Sequence, residues 1–274
     1  IPAALAALLL LSASTGQAIT LIADDFDGGG LGVGDPGAVN GGFHDVNNGN
    51  GGNTSVSEAG SLAVLSNPAG NHNGGVVANS GFGAPTEGVR ARFAVDHTGR
   101  PEYNGMFLGI QDAANTFYRD ASTTNFGLIF FGKSGSESED GFSLVVNDVA
   151  AGPEEVIASE DGFDAASFRD GFTATVTAAP AGWGYQVTGL VDNGVPRSYT
   201  KRGSWREAGL ADTFYFDHFD EENYVAAYAQ GEITHAYDRI EVSVAAIPEP
   251  TTLSLFGLGF GGLTFLSRRR RTRL

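Results

Sequence analysis

Apolar and polar residues alternate in short runs along most of this chain. Between residues 19 and 246 nothing recurs with sustained helical spacing. A period of two sends successive side chains to opposite faces of a strand. In Val89-Arg90-Ala91-Arg92-Phe93-Ala94-Val95 the charges take one face, which predicts a strand with one wet side. Phe172-Thr173-Ala174-Thr175-Val176-Thr177 does the same with threonine, and Leu128-Ile129-Phe130-Phe131 reads as buried on both faces. Further strand-like runs cover residues 19–23, 61–65, 106–110, 142–146, 185–190, 213–216, 224–229 and 239–244. Asp192-Asn193-Gly194 supplies the residues of a tight hairpin turn between the run 185–190 and the segment 196–200. Single helical turns are expected only at 165–169 and 204–210. The 40 glycines crowd into loops, above all residues 28–52, where Gly-Gly and Asn-Gly pairs exclude helix. Residues 28–54 are therefore expected to be the loosest segment. Many short strands, no sustained helix and a body of this length predict an all-β chain: one two-sheet antiparallel β-sandwich over 19–246.

The two ends follow different rules. Residues 1–18 hold an apolar core, 3–11, too short for a bilayer of about 30 Å but of the length of a signal-peptide core. Small residues follow, and Gly16 and Ala18 suit signal peptidase, so cleavage is expected after Ala18. At the other end, residues 251–267 are uncharged and would span roughly 25 Å as a helix, the short limit for crossing a membrane. Arg268, Arg269, Arg270, Arg271 and Arg273 come next. A basic cluster beside an apolar span stays on the cytoplasmic side, which places the body outside.

Pro248-Glu249-Pro250, a glycine-rich apolar span and an arginine cluster, in that order over residues 247–274, resemble the PEP-CTERM sorting signal of exported bacterial proteins. The resemblance implies a precursor held in the inner membrane by a transmembrane helix. Exosortase, a cysteine-type transpeptidase, would cut near the Pro-Glu-Pro element and free the protein to the cell surface or biofilm matrix. The prolines keep that element extended, a form a protease accepts. A second resemblance concerns the body. Ile22-Ala23-Asp24-Asp25-Phe26-Asp27-Gly28 and Ala236-Tyr237-Asp238-Arg239-Ile240-Glu241-Val242 are similar to the first and last strands of concanavalin A-like (laminin-G-like) jelly rolls. It implies that the two terminal strands lie side by side.

Charge narrows the partners. The chain has 16 Lys and Arg against 32 Asp and Glu, a net charge of −16. Five of those arginines but only one acid, Glu249, sit in the tail, so the body is four charges more negative still. Such a body disfavours nucleic acid and anionic surfaces and favours divalent cations. There is no cysteine, so neither a disulfide nor a thiolate site can form.

Calcium takes six to eight hard oxygens. Asp25, Asp27 and Asp238, joined if the terminal strands meet, are the candidate ligands of a structural calcium; the competing reading is that these aspartates cap strands and turns. The spacing is not that of an EF-hand. Asp217-His218-Phe219-Asp220-Glu221-Glu222 is the densest polar cluster, and Glu137-Ser138-Glu139-Asp140 is another, but neither carries the Glu-x-Asp-x-Glu alternation expected of a glucanase on this fold. No histidine pair has metal-ligand spacing, there is no Gly-x-Ser-x-Gly elbow, and the glycines of 28–34 lack the Gly-Lys-Ser/Thr of a phosphate loop. Exposed Trp and Tyr stack on sugar rings. Trp183, Tyr185, Trp205 and Tyr103 lie near glycines or charged turns and are the candidate glycan contacts, with core packing as the alternative.

These readings converge on an exported, exosortase-processed protein with a non-enzymatic, glycan-binding β-sandwich. Its partners are signal peptidase, exosortase and extracellular polysaccharide, and not nucleic acid. The alternative is a glycoside hydrolase or lyase on the same fold, using acids such as Asp217, Glu221 or Glu222. Replacing Arg268 to Arg271 by serine is expected to leave the body folded but missorted; fractionation showing unchanged secretion would contradict this.

Overall fold

The computed structural model describes residues 18–28, 38–47, 55–67, 73–83, 85–98, 103–114, 123–132, 140–147, 155–163, 168, 170–219, 222–230 and 233–245. The signal peptide before Ala18, the 247–274 tail and Glu221 lie outside these residues. Among them, no helix is long and apolar enough to cross a membrane.

The strands are β1 (Thr20–Asp24), β2 (Phe43–Asn47), β3 (Ser55–Glu58), β4 (Ala63–Asn67), β5 (Asn73–Ala78), β6 (Phe82–Gly83), β7 (Val89–Thr98) and β8 (Tyr103–Gln111). They continue with β9 (Asn125–Gly132), β10 (Asp140–Asn147), β11 (Glu155–Phe163), β12 (Phe172–Ala179), β13 (Gly182–Asp192), β14 (Val195–Gly203), β15 (Glu222–Gln230) and β16 (Ile233–Val244). They form two eight-stranded antiparallel sheets. The first runs β14-β13-β12-β7-β16-β4-β3, with β1 also on β16; the second runs β11-β10-β9-β8-β15-β5-β2, with β6 also on β15. This is the all-β two-sheet sandwich expected. The terminal strands lie side by side, with Ala23 opposite Glu241 and Asp24 opposite Ile240.

The alternation read along the chain decides which side chains meet. In β12 every second residue is buried, and β7 buries Val89, Ala91, Phe93 and Val95 while Arg90 and Arg92 stay exposed. Aromatic rings bridge the sheets: Phe130 of β9 lies 4.9 Å from Phe172 of β12, and Phe142 of β10 lies 5.5 Å from Tyr185 of β13. The central strands of the second sheet, β5, β8, β9, β10 and β15, are largely buried on both faces. Leu128 and Phe130 point into the sandwich, while Ile129 joins Phe107, Val145 and Tyr228 in a separate cluster on the opposite face.

Two expectations are corrected. Residues 213–216 are not a strand: Phe214–His218 form a short α-helix, α1, because Phe214, Tyr215 and Phe219 are buried on one helical side while Phe216 and Asp217 face water. The segment 28–54 is not all loop, since β2 lies within it and Val39 bridges Ala23. The turn expected near 204–210 is present as one 3-10 turn, Arg206–Ala208. At the 192–194 hairpin, Asn193 and Gly194 both take positive φ, 50° and 74°, as a type I′ turn requires.

Burial raises the hydroxyl of Tyr237 above its ordinary pKa of 10.0, and does the same for Tyr215 and Tyr185. Glu160 adds to the shift at Tyr185 through its hydrogen bond and its charge. A raised folded-state value means that the stabilisation is complete below pH 10 and is lost as pH rises through the folded pKa. Denaturant midpoints are therefore expected to fall steeply above pH 10, together with delayed tyrosine ionisation in ultraviolet titration. Titration of all eight tyrosines near pH 10 in the native protein would contradict this.

Candidate functional site

A trough of about 730 Å³ lies on the outer face of the first sheet, over β7, β12, β13 and β14. Strand register builds its floor. Thr177 pairs with Arg90 on one side and with Gly184 on the other, and Gly184 pairs with Arg202. One row therefore reads Arg90–Thr177–Gly184–Arg202. The next reads Arg92–Thr175–Gln186–Thr200. These are the positions that alternation turns away from the core. At about 4.8 Å per strand, the two arginine Cα atoms of the first row stand roughly 14 Å apart. Between them the floor is low, because a side chain on Gly184 would meet nothing closer than Lys201 O at 3.4 Å.

The rim comes from the β12–β13 turn with Pro180 and Ala181, from Thr86 and Glu87, and from Ala245. Thr86 Oγ1 donates to Glu87 Oε2 at 3.1 Å. Threonine methyls, alanine, proline and arginine stems make the walls, and the hydroxyls, the Gln186 amide and the cationic heads are the polar points. Ligand sites generally combine apolar walls with a few placed polar groups.

The aromatic candidates fall differently from expectation. Trp183 and Tyr185 both line the trough, yet they are only 7% and 3% exposed. Their places in β13 turn their rings toward the core. Trp183 Nε1 donates to Ser204 O at 3.0 Å, and Tyr185 Oη donates to Glu160 Oε1 at 2.9 Å across the sandwich. They support the trough from beneath and offer no open ring for stacking. Trp205 is 1% exposed, donates to Ala179 O at 2.8 Å and packs 4.8 Å from Phe214. It is a core residue, and the core-packing alternative holds for it. Tyr103 opens β8, and its side chain lies outside the described residues.

Asp25, Asp27 and Asp238, the expected calcium ligands, all fall within the described residues. Among the described residues, no three or more His, Asp or Glu side chains are grouped to hold a metal ion. The reason is register. With Asp24 opposite Ile240, one step further sets Asp25 beside Arg239, whose Nη1 lies 3.9 Å from Asp25 Oδ2. The Arg239 guanidinium lies beside Asp25, and Asp238 is the extra, exposed residue of a bulge between Tyr237 and Arg239. The buried carboxylate of this region is Asp24, which accepts from the backbone N–H groups of Phe26 at 3.1 Å and Gly42 at 2.7 Å. Capping is thus its role. Of the acids weighed for hydrolysis, Asp217 accepts from Thr213 Oγ1 at 2.6 Å on α1, and Glu222 is exposed on β15.

The residues that sequence reading missed are Arg90, Thr175, Thr177, Gly184, Gln186 and Arg202. Their exposure was readable from alternation, but their convergence depends on which strands pair.

Comparison with known proteins agrees at both levels. Residues 246–271 match the PEP-CTERM protein-sorting motif, which marks an exported protein directed to exosortase and anchored transiently in the membrane before processing. No curated protein sequence matches the chain. The fold is similar to the lectin of Bauhinia forficata in complex with GalNAc, with TM-score 0.52 and 11% identity, over 82% of this chain and 97% of that one. It is also similar to the CBM2 module of the evolved Dit of Lactobacillus casei BL23 phage J-1, with TM-score 0.51 and 11% identity, over 84% and 98%. A structure of endo-acting O-glycanases from human gut bacteria aligns with TM-score 0.49 and 14% identity, over 83% and 100%. The architecture is thus a lectin-like jelly roll.

The triple replacement of Asp25, Asp27 and Asp238 by asparagine is expected to leave the thermal response to added calcium as in the parent. A calcium-induced rise in Tm that is present in the parent and lost in this variant would restore the metal site.

Proposed function

We propose that the body, residues 19–246, is a non-enzymatic glycan-binding module of the cell surface or extracellular matrix. Signal peptidase removes residues 1–18, the 247–274 tail holds the precursor in the inner membrane, and exosortase frees it there. The sorting motif supports the route. The reading of the body rests on the trough, whose rigid strand floor carries hydroxyl, amide and guanidinium groups around a low centre. Sugar hydroxyls need such fixed donors and acceptors, and sugar C–H faces suit threonine methyls and proline. Groups mounted on strands lose little entropy when a ligand binds.

Among the described residues, one carboxylate, Glu87, lines the trough. Glycoside hydrolysis uses two, about 5 to 9.5 Å apart across the scissile bond. Binding without turnover is therefore the activity this surface suits. The fold likeness to a lectin solved in complex with GalNAc supports this reading.

A glycan array followed by a reducing-sugar assay tests the proposal. Saturable binding with no release of reducing ends is the expected result. Steady release of reducing ends from a bound glycan, lost on replacing Asp217 or Glu222, would show a hydrolase instead.

A further inference from the structure

We infer that the trough is selective for acidic glycans, with Arg90 and Arg202 holding carboxylate or sulfate groups from its two sides. The inference rests on the glycan-binding reading of the same trough and names the class of sugar it takes. The body is strongly acidic as a whole, yet Arg90 and Arg202 stand in the outward row of this one surface against Glu87, the single acid among its described lining residues. Among the described residues, none of Arg90, Lys201 or Arg202 has a carboxylate within ion-pair distance. This contrasts with Arg239, which spans Asp25 and Glu241, and with Arg197, which lies 3.6 Å from Asp192. The trough thus keeps its guanidinium groups uncommitted where other arginines of the same sheet are neutralised by neighbours.

Geometry adds to charge. Guanidinium forks match the planar oxygens of carboxylate and sulfate with two parallel hydrogen bonds. Two arginines roughly 14 Å apart at the Cα level, with flexible stems leaning over the glycine and threonine floor, leave room for a sugar ring between the heads. An acidic residue on one ring, or on two successive rings, would reach one fork or both. Thr175, Thr177, Gln186 and Thr200 would meet the ring hydroxyls.

A nucleic acid would offer phosphates too, but a polymer charged every few ångström would bring most of its charges against the acidic remainder of the body. A short acidic glycan concentrates its charge where the arginines are. The overall charge then serves specificity by repelling polyanions that do not fit.

The test uses the full chain in non-ionic detergent, with its arginine tail constant in every sample, and calorimetric titration against three probes. These are a short oligogalacturonate, the same oligosaccharide with its carboxylates methyl-esterified, and a single-stranded DNA oligomer of matched charge. The expected result is binding of the oligogalacturonate at least about tenfold tighter than of the ester or the DNA. That preference should be lost in the Arg90→Gln, Arg202→Gln double variant. Gly184→Val is a second variant that keeps both charges: its Cβ meets only ordinary contacts, and β-branching suits a strand, so the fold should hold while the raised floor weakens binding by a similar factor. Equal binding of acid and ester, unaffected by the arginine changes, would overturn the acidic selectivity and leave glycan binding standing. Tighter binding of DNA would overturn it in favour of a nucleic-acid surface. Binding of neither sugar would overturn both readings.

Discussion

Strand alternation locked into register is the constraint on which the rest of this molecule depends. A slip of one residue between β7, β12 and β13 would exchange Arg90 and Thr177 with Val89 and Val176. The core would then receive guanidinium groups and the solvent would receive the apolar set, so register is strongly specified wherever one face is buried. The aromatic bridge between the sheets fixes it further, because Phe130 and Phe172, or Phe142 and Tyr185, can meet only when both sheets present the correct parity. The trough is the outer half of the same arrangement. Every side chain sent into the core by Trp183, Tyr185 and Val187 leaves Gly184 and Gln186 facing outward.

The fold was largely legible in the sequence, for the same reason. Two-sided burial of 128–131, the wet face of 89–95 and the Asn193-Gly194 turn are local signals, and each appears where the chain announced it. What local pattern could not supply was pairing between distant segments. Phe214 to Phe219 is too short to separate a strand from a helical turn by period alone, and its burial beneath Pro85 and Trp205 decided the matter: Tyr215 Oη donates to Pro85 O at 2.7 Å. The glycine-rich 28–54 region concealed β2 because its strand-forming residues, Phe43 to Asn47, sit between turn formers.

The site was less legible than the fold. Tryptophan and tyrosine near glycines suggested open stacking rings, but parity within β13 and the depth of Trp205 sent those rings inward. Asp25, Asp27 and Asp238 suggested an ion because the terminal strands were expected to meet. They do meet, and the same pairing brings Arg239 to Asp25. The residues that do converge, Arg90 and Arg202, are more than a hundred positions apart and became neighbours of one trough only through two intervening strands.

Hydrogen exchange measured along the chain, with and without a bound oligosaccharide, addresses most directly the claim that the outer face of the first sheet receives the ligand. Slowed exchange concentrated in β12, β13 and β14, with the second sheet unchanged, is what this arrangement predicts. Protection confined to the second sheet, around Phe107, Ile129 and Tyr228, with the trough strands unaltered, would contradict it.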